Sequence, residues 1–200
     1  MRRFPEGQFR TAVLRRVVAG ALALAIGSGG VTAATSDAHR SPALVATLIT
    51  AEKGVAPEAT AISAGLDLTI SEGWKTYWRS PGEVGIPPTV DWTGSTNVAG
   101  VEFLWPAPTR FTAFGIENFG YHDEVVFPLR ISLLDAGKPA RLNAKVNLLV
   151  CSEICVPDDF TLTLDMPVAT GIDAAAAARI SDFAARVPDD GTASGIEITS

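Results

Sequence analysis

The sequence predicts an antiparallel β-sandwich followed by one short helix. Between residues 43 and 166, apolar residues alternate with polar or small residues in most segments, which is the pattern of half-buried strands. Clusters of Gly, Pro, Ser and Asp separate these segments at short intervals. A helical pattern of useful length begins only after residue 173. Several short strands spaced in this way are typical of a sandwich.

The first 33 residues have the composition of a secretory signal peptide. Five arginines precede the apolar run Val17 to Ile26, and small residues lead to a cleavage site after Ala33 or Ala34. The apolar run is too short to span a bilayer. We therefore expect a signal peptide at residues 1–33 and export to the periplasm, with an uncleaved membrane anchor as the alternative.

The net charge and the small number of histidines and cysteines disfavour nucleic acid as a partner and a metal as a cofactor. Removing residues 1–33 takes away five arginines and one glutamate, which changes the formal net charge from −6 to −10. So acidic a chain disfavours nucleic acid as a partner. Two thiols alone make an incomplete zinc site. His122 is a lone histidine in the body of the fold, and such a residue is more often a surface or core residue than a metal ligand. We predict no metal site and no cofactor.

The predicted strands follow one another along the body of the chain. Alternation is cleanest between Ile62 and Ile70, where every second residue is apolar. The predicted strands are Leu44–Thr50, Ile62–Ile70, Thr89–Trp92, Val98–Trp105, Glu124–Leu134, Ala140–Val150 and Phe160–Met166.

A helix is predicted near the end of the chain. Asp173 is placed to cap it, and Ile180 and Phe183 contribute to one apolar stripe that ends before Pro188. We therefore divide the exported chain into a sandwich domain at residues 34–170 and a helix and linker at residues 171–200. The linker is expected to lead into a further domain of a longer parent protein.

Two segments rich in aromatic residues have alternative interpretations. The rings of Gly73–Gly82 either pack in the core or form a platform for a ligand. The connection Trp105–Tyr121 contains prolines, glycines and phenylalanines and is predicted to be a long loop, which is uncommon without a function. It either covers a reactive site as a lid or fills the end of the sandwich.

Both cysteines of the chain, Cys151 and Cys155, lie between two predicted strands. If the turn is tight, the two residues face each other across a hairpin at a distance that a disulfide can bridge. A bridge that closes so short a loop stabilises the fold little. The residues alone leave two interpretations open, a redox-active pair and a local structural disulfide.

Three carboxylates flank the pair in the sequence, those of Glu153, Asp158 and Asp159. Negative charges nearby disfavour formation of a thiolate. We therefore expect thiols that are not activated in the free domain and that become reactive inside a complex with a partner.

Four segments together resemble a known family. These are WKTYWRSPGEVGIPPTVDW, VEFLWPAPTRF, FGYHDEVVFPLRI and LVCSEICVPDDFTLTL. They are similar to the periplasmic N-terminal domain of the DsbD family of thiol:disulfide interchange proteins, on the branch called suppressor of copper sensitivity B. The resemblance covers about residues 43 to 168 and implies an immunoglobulin-like sandwich.

The resemblance also implies a function and a set of site residues. Cys151 and Cys155 would be the catalytic redox pair of a protein-disulfide reductase, with Cys155 forming the mixed disulfide and Cys151 resolving it. Phe111 and Phe114 compete for the role of a phenylalanine that shields the pair from a cap loop at Thr109–Gly115.

The implied partners are proteins that exchange thiols. Electrons would come from the membrane-embedded and thioredoxin-like domains of a DsbD-type relay, and would pass to periplasmic thioredoxin-like or disulfide isomerase-like proteins. Two alternatives remain. One is an exported immunoglobulin-like binding module with a structural disulfide, and the other is a copper-tolerance protein that binds Cu(I) through its thiolates.

Overall fold

Alternating apolar residues give the chain a fold built almost entirely of strands. The structure is a computed structural model that describes residues 35–113 and 115–189. The strands are β1 His39–Arg40, β2 Leu44–Thr50, β3 Ala61–Ile70, β4 Thr76–Gly82, β5 Thr89–Asp91, β6 Gly100–Phe103, β7 Thr109–Ala113, β8 Ile116–Tyr121, β9 Glu124–Ser132, β10 Ala140–Cys151 and β11 Cys155–Met166. Within the described ranges there is one helix, α1, which spans Ala174–Ala184.

The strands pair into three antiparallel sheets that share a core. The largest has the strand order β1-β2-β3-β9-β6, the second β11-β10-β5 and the third β4-β8-β7. Leu66 and Phe127 of the first sheet and Leu142 and Val146 of the second are buried in the same hydrophobic cluster. The prediction of an immunoglobulin-like antiparallel sandwich with a short following helix is confirmed.

The connection Trp105–Tyr121 is not the long loop that was predicted. It contains the β7–β8 hairpin, and β8 pairs in turn with β4. Gly115 has a φ of 77° in the turn of this hairpin. A Cβ on Gly120 would overlap the carbonyl oxygen of Thr76 in β4. The glycines that suggested a loop therefore permit a tight turn and a close strand pairing.

The terminal helix packs on the first sheet. Asp173 caps it by accepting hydrogen bonds from two backbone N–H groups of the first turn, at 3.1 and 3.0 Å. Ile180 and Phe183 are buried in the shared core. The Arg179 guanidinium donates to both carboxylate oxygens of Asp67, at 2.6 and 2.7 Å, which fixes α1 to β3. The predicted cap and apolar stripe are confirmed.

Residues 1–34, Phe114 and residues 190–200 lie outside the described residues. The predicted signal peptide and most of the predicted linker fall in these ranges. Within the described part of the chain, no helix is long and apolar enough to cross a membrane.

Candidate redox site

The cysteine pair closes the end of the β10–β11 hairpin. Cys151 is the last residue of β10, Cys155 is the first of β11, and the two are register partners joined by a disulfide. The Ser152 N–H donates to the Ile154 carbonyl at 3.0 Å and closes the three-residue turn. The predicted hairpin with facing cysteines is confirmed.

The two cysteines differ in exposure. Cys151 is 2% exposed, whereas Cys155 belongs to the exposed residues at the tip. Exchange with another protein needs a sulfur that an incoming thiolate can approach in line with the bond. The arrangement therefore offers one accessible residue and one shielded residue.

A segment distant in sequence holds Cys151 in place from the free side of β10. The backbone groups of Lys75 and Cys151 exchange two hydrogen bonds, both 2.9 Å long. One residue further on, the Thr76 hydroxyl donates to the Leu149 carbonyl at 3.1 Å. These contacts bring the start of β4, and with it the third sheet, against the disulfide.

Tyr77 follows in β4 and contacts the disulfide directly. Its side chain is completely buried, and its hydroxyl donates to the Cys151 sulfur at 3.0 Å and lies 3.8 Å from the Cys155 sulfur. Burial raises the pKa of the Tyr77 hydroxyl, so the hydroxyl keeps its proton. A hydroxyl in this position stabilises negative charge that develops on Cys151 when the disulfide opens.

Phe111 of β7 packs over Tyr77. The two ring centroids are 6.0 Å apart, and the Lys75 ammonium lies 5.7 Å from the Phe111 ring centroid. Phe111 is half-buried. Of the two predicted cap residues, Phe111 is thus beside the disulfide-contacting tyrosine, while Phe114 lies outside the described residues.

The three carboxylates near the pair have different surroundings. Asp158 accepts hydrogen bonds from His39 Nε2 at 2.8 Å and from the Ser41 hydroxyl at 2.6 Å. Asp159 accepts one from an Asn147 amide at 3.1 Å. Glu153 is exposed in the turn itself.

The hydrogen bonds to Asp158 tie the segment before β2 to β11. Because Asp158 is three residues from Cys155 along a strand, its side chain projects from the opposite face.

In the described ranges, no group of three or more His, Cys, Asp or Glu side chains is arranged to hold a metal ion.

Tyr77 is the site residue that the sequence interpretation missed. It lies in the aromatic segment whose two predicted uses were core packing and a ligand platform, and it is 74 positions from Cys151. No local pattern in the sequence indicates this contact. The structure shows that Gly85 is needed beside Tyr77, because a side chain at Gly85 would overlap the Tyr77 ring.

Comparisons with known proteins agree with this geometry. Residues 46–167 match the family model described as thiol:disulfide interchange protein DsbD, N-terminal. The solved N-terminal periplasmic domain of ScsB from Proteus mirabilis is 30% identical, with a TM-score of 0.64 over 78% of this chain. The present chain covers 60% of that solved chain.

A more distant structure, the reduced N-terminal domain of Neisseria meningitidis DsbD, is 16% identical over 66% of this chain and 89% of that chain. Its TM-score is 0.36, so it adds nothing to the assignment. No curated protein matches the chain. The family match covers well over half of the sequence, and the chain therefore belongs to the family of N-terminal domains of thiol:disulfide interchange protein DsbD.

Proposed function

We propose that this chain is a periplasmic thiol:disulfide interchange domain that carries two electrons on Cys151 and Cys155. One observation carries the proposal. A disulfide at a hairpin tip joins an exposed residue to a buried one, and a buried tyrosine donates a hydrogen bond to the buried sulfur. A purely structural disulfide in this hairpin would need neither an accessible sulfur nor the hydrogen bond from Tyr77.

The reaction proceeds through a mixed disulfide. A thiolate of the electron donor attacks the Cys155 sulfur, the bridge breaks, and Cys151 leaves as a thiolate that accepts the Tyr77 hydrogen bond and then a proton. The donor's second thiol attacks the mixed disulfide and releases Cys155 as a thiol. The donor is oxidised to a disulfide, and this domain gains two electrons and two protons. Reversal of these steps reduces the next protein, and the chemistry uses no cofactor.

We assign the role of cap to Phe111. Its ring packs on Tyr77 and beneath the Lys75 ammonium. Among the residues that the structure describes, the hairpin that carries Phe111 pairs with the rest of the fold through β4 alone. Movement of this hairpin would uncover Tyr77 and the disulfide together. Phe114, which lies outside the described residues, is the alternative cap.

The family and the predicted signal peptide support a periplasmic location. The donor is a membrane-embedded partner domain acting through a thioredoxin-like domain, and the acceptors are oxidised periplasmic proteins of the thioredoxin-like or disulfide isomerase-like class. The similar ScsB structure is itself a periplasmic domain.

Exchange with a reduced thioredoxin-like protein tests the proposal. The oxidised chain is mixed with an excess of that protein, the reaction is stopped by alkylation, and the thiols of each protein are counted by mass. We expect two thiols to appear in this chain for every two that disappear from the donor. The Cys151→Ala/Cys155→Ala double variant should take up no electrons.

The opposite result would be a bridge that stays closed in the folded protein but opens with the same donor in denaturant. That result would assign Cys151–Cys155 a structural role and favour the binding-module alternative.

A further inference from the structure

We propose that an apolar groove beside the disulfide selects partners, by binding an apolar side chain two residues from the partner's reactive cysteine in an extended segment. This inference rests on the proposed function. The groove has a volume of about 150 Å³ and an almost entirely apolar surface. A cavity of this volume can hold a benzene-sized group. Its lining includes Ile86, Pro87, Thr89, Leu149, Pro157 and Asp159.

The groove begins one step along the hairpin from the sulfurs. Cys151 pairs with Cys155, and the next pair on the same face is Leu149 with Pro157, which forms the groove floor. Side chains two residues apart in a strand project from the same face and are about 6.8 Å apart. The floor of the groove and the disulfide therefore share one face of the hairpin.

This spacing identifies the conformation of the occupant. In an extended segment the residue two positions from a cysteine lies on the same side and about 6.8 Å away, which matches the step from Cys155 to Pro157. In a helix, residues two positions apart do not share a face. An extended partner segment whose cysteine meets Cys155 would thus place that neighbour over Pro157.

The wall of the groove is attached to the redox site. Gly85, with a φ of 105°, lies against the Tyr77 ring so closely that a Cβ would overlap it. The next residue, Ile86, forms the wall and is 61% exposed. Tyr77 therefore supports both the disulfide and the groove wall.

Exposed aliphatic side chains occur at the groove and in the cysteine turn. Of the five large aliphatic residues exposed in the described ranges, Ile86 lines the groove and Ile154 lies in the turn between the cysteines. Ile154 is 64% exposed in the turn between the cysteines. Neither side chain is part of the hydrophobic core, so both are available to contact a partner segment.

The charges around the groove select a basic partner segment. Asp159 lines the groove two residues beyond Pro157, in the next pair on the same face of the hairpin. Glu83 and Glu153 are exposed in the two segments that carry Ile86 and Ile154. The occupant we infer is an extended segment with an apolar residue two positions from its cysteine and a lysine or arginine close by.

The test uses short peptides whose cysteine carries a thionitrobenzoate group in a mixed disulfide. The reduced chain attacks the peptide sulfur through Cys155 and releases coloured thionitrobenzoate. Cys151 then re-forms the bridge and releases the peptide as a thiol. One pair of peptides has leucine or serine two residues before the cysteine, a second pair has them two residues after it, and all carry one lysine. The rate of colour release is measured.

We expect one of the leucine peptides to react about tenfold faster than its serine counterpart, because the groove buries part of the leucine side chain. The Ile86→Ser variant should bring this ratio close to one. Leu134→Ser is the matched control, because Leu134 is 68% exposed and lies outside the groove, and it should leave the ratio unchanged. Replacing the peptide lysine with glutamate should slow the reaction at low salt.

Glutathione linked to thionitrobenzoate is the control that distinguishes failure of the groove inference from failure of the proposed function. If glutathione reacts but leucine and serine peptides react equally, or if Ile86→Ser leaves the ratio unchanged, the groove inference is overturned. An effect of leucine without one of lysine would overturn the basic part of the partner description. If no peptide and no glutathione re-forms the bridge, the proposed function itself fails.

Discussion

Replacing one cysteine at a time should reveal a large difference between the two sulfurs. In Cys151→Ala, the remaining Cys155 should react with Ellman's reagent at least about tenfold faster than Cys151 does in Cys155→Ala, because access controls thiol reactivity. Cys155 is at the exposed tip, whereas Cys151 is 2% exposed and is held between Lys75 and Tyr77. Release of the coloured thiolate in a stopped-flow spectrometer gives both rates.

The same pair of variants predicts which sulfur forms the mixed disulfide. Cys151→Ala should form a lasting mixed disulfide with a thioredoxin-like protein that keeps only its reactive cysteine, activated with thionitrobenzoate, because neither protein then has a second thiol to resolve it. Cys155→Ala should not form one. The two variants should have thermal midpoints close to that of the reduced wild-type chain, which excludes unfolding as the cause. A faster reaction of Cys151 would reverse the roles assigned to the two cysteines, and equal rates would contradict the predicted difference between them.

Removing the Phe111 ring should expose the disulfide to small reductants. We expect Phe111→Ala to increase the rate at which dithiothreitol reduces the bridge by about tenfold, since the ring packs on Tyr77 at the site. Tenfold corresponds to about 1.4 kcal/mol of barrier, a modest fraction of what a buried aromatic ring contributes. The rate is followed by quenching with acid and counting free thiols.

Phe119 provides the matched control on the same hairpin. It pairs with Arg110, so its side chain projects from the opposite face to Phe111, and it is also half-buried. Phe119→Ala should therefore leave the reduction rate close to that of the wild type. If Phe114→Ala accelerates reduction and Phe111→Ala does not, the cap is Phe114. If neither does, the hairpin does not shield the bridge.

The parts of the fold that depend on local pattern could be predicted from the sequence. The strand predicted at Leu44–Thr50 has those bounds in the structure, because alternation in a half-buried strand is a property of consecutive residues. The cysteine hairpin follows for the same reason, since two alternating runs and a three-residue turn leave little choice of register. The Asp173 cap is likewise a local hydrogen-bonding motif.

The parts that depend on contacts between distant segments were missed. Strand β4 was interpreted only as a cluster of aromatic residues, because Pro81 and polar residues interrupt the alternation expected of a strand. In the structure, its pairing with β8 is correspondingly irregular. The β7–β8 hairpin was not predicted, because its glycines suggested a loop. In the structure, these glycines permit the close approach of the hairpin to β4. Tyr77 thus reaches the disulfide, and Phe111 reaches Tyr77, through a sheet that no single stretch of sequence encodes.

The groove illustrates the same limit. Leu149 and Pro157 could be placed together once the hairpin register was known, but Ile86 comes from a loop more than 60 positions away. Its exposure has no signature in the sequence, because an isoleucine beside prolines is equally compatible with a buried turn.

The reduction potential of the Cys151–Cys155 pair tests the account most directly. The chain is equilibrated in glutathione or dithiothreitol buffers of defined ratio, free thiols are trapped by alkylation, and the oxidised fraction is measured by mass. We predict a potential between roughly −120 and −270 mV, the range of proteins that exchange disulfides. A potential below about −300 mV is typical of structural bridges and would contradict a role in electron transfer.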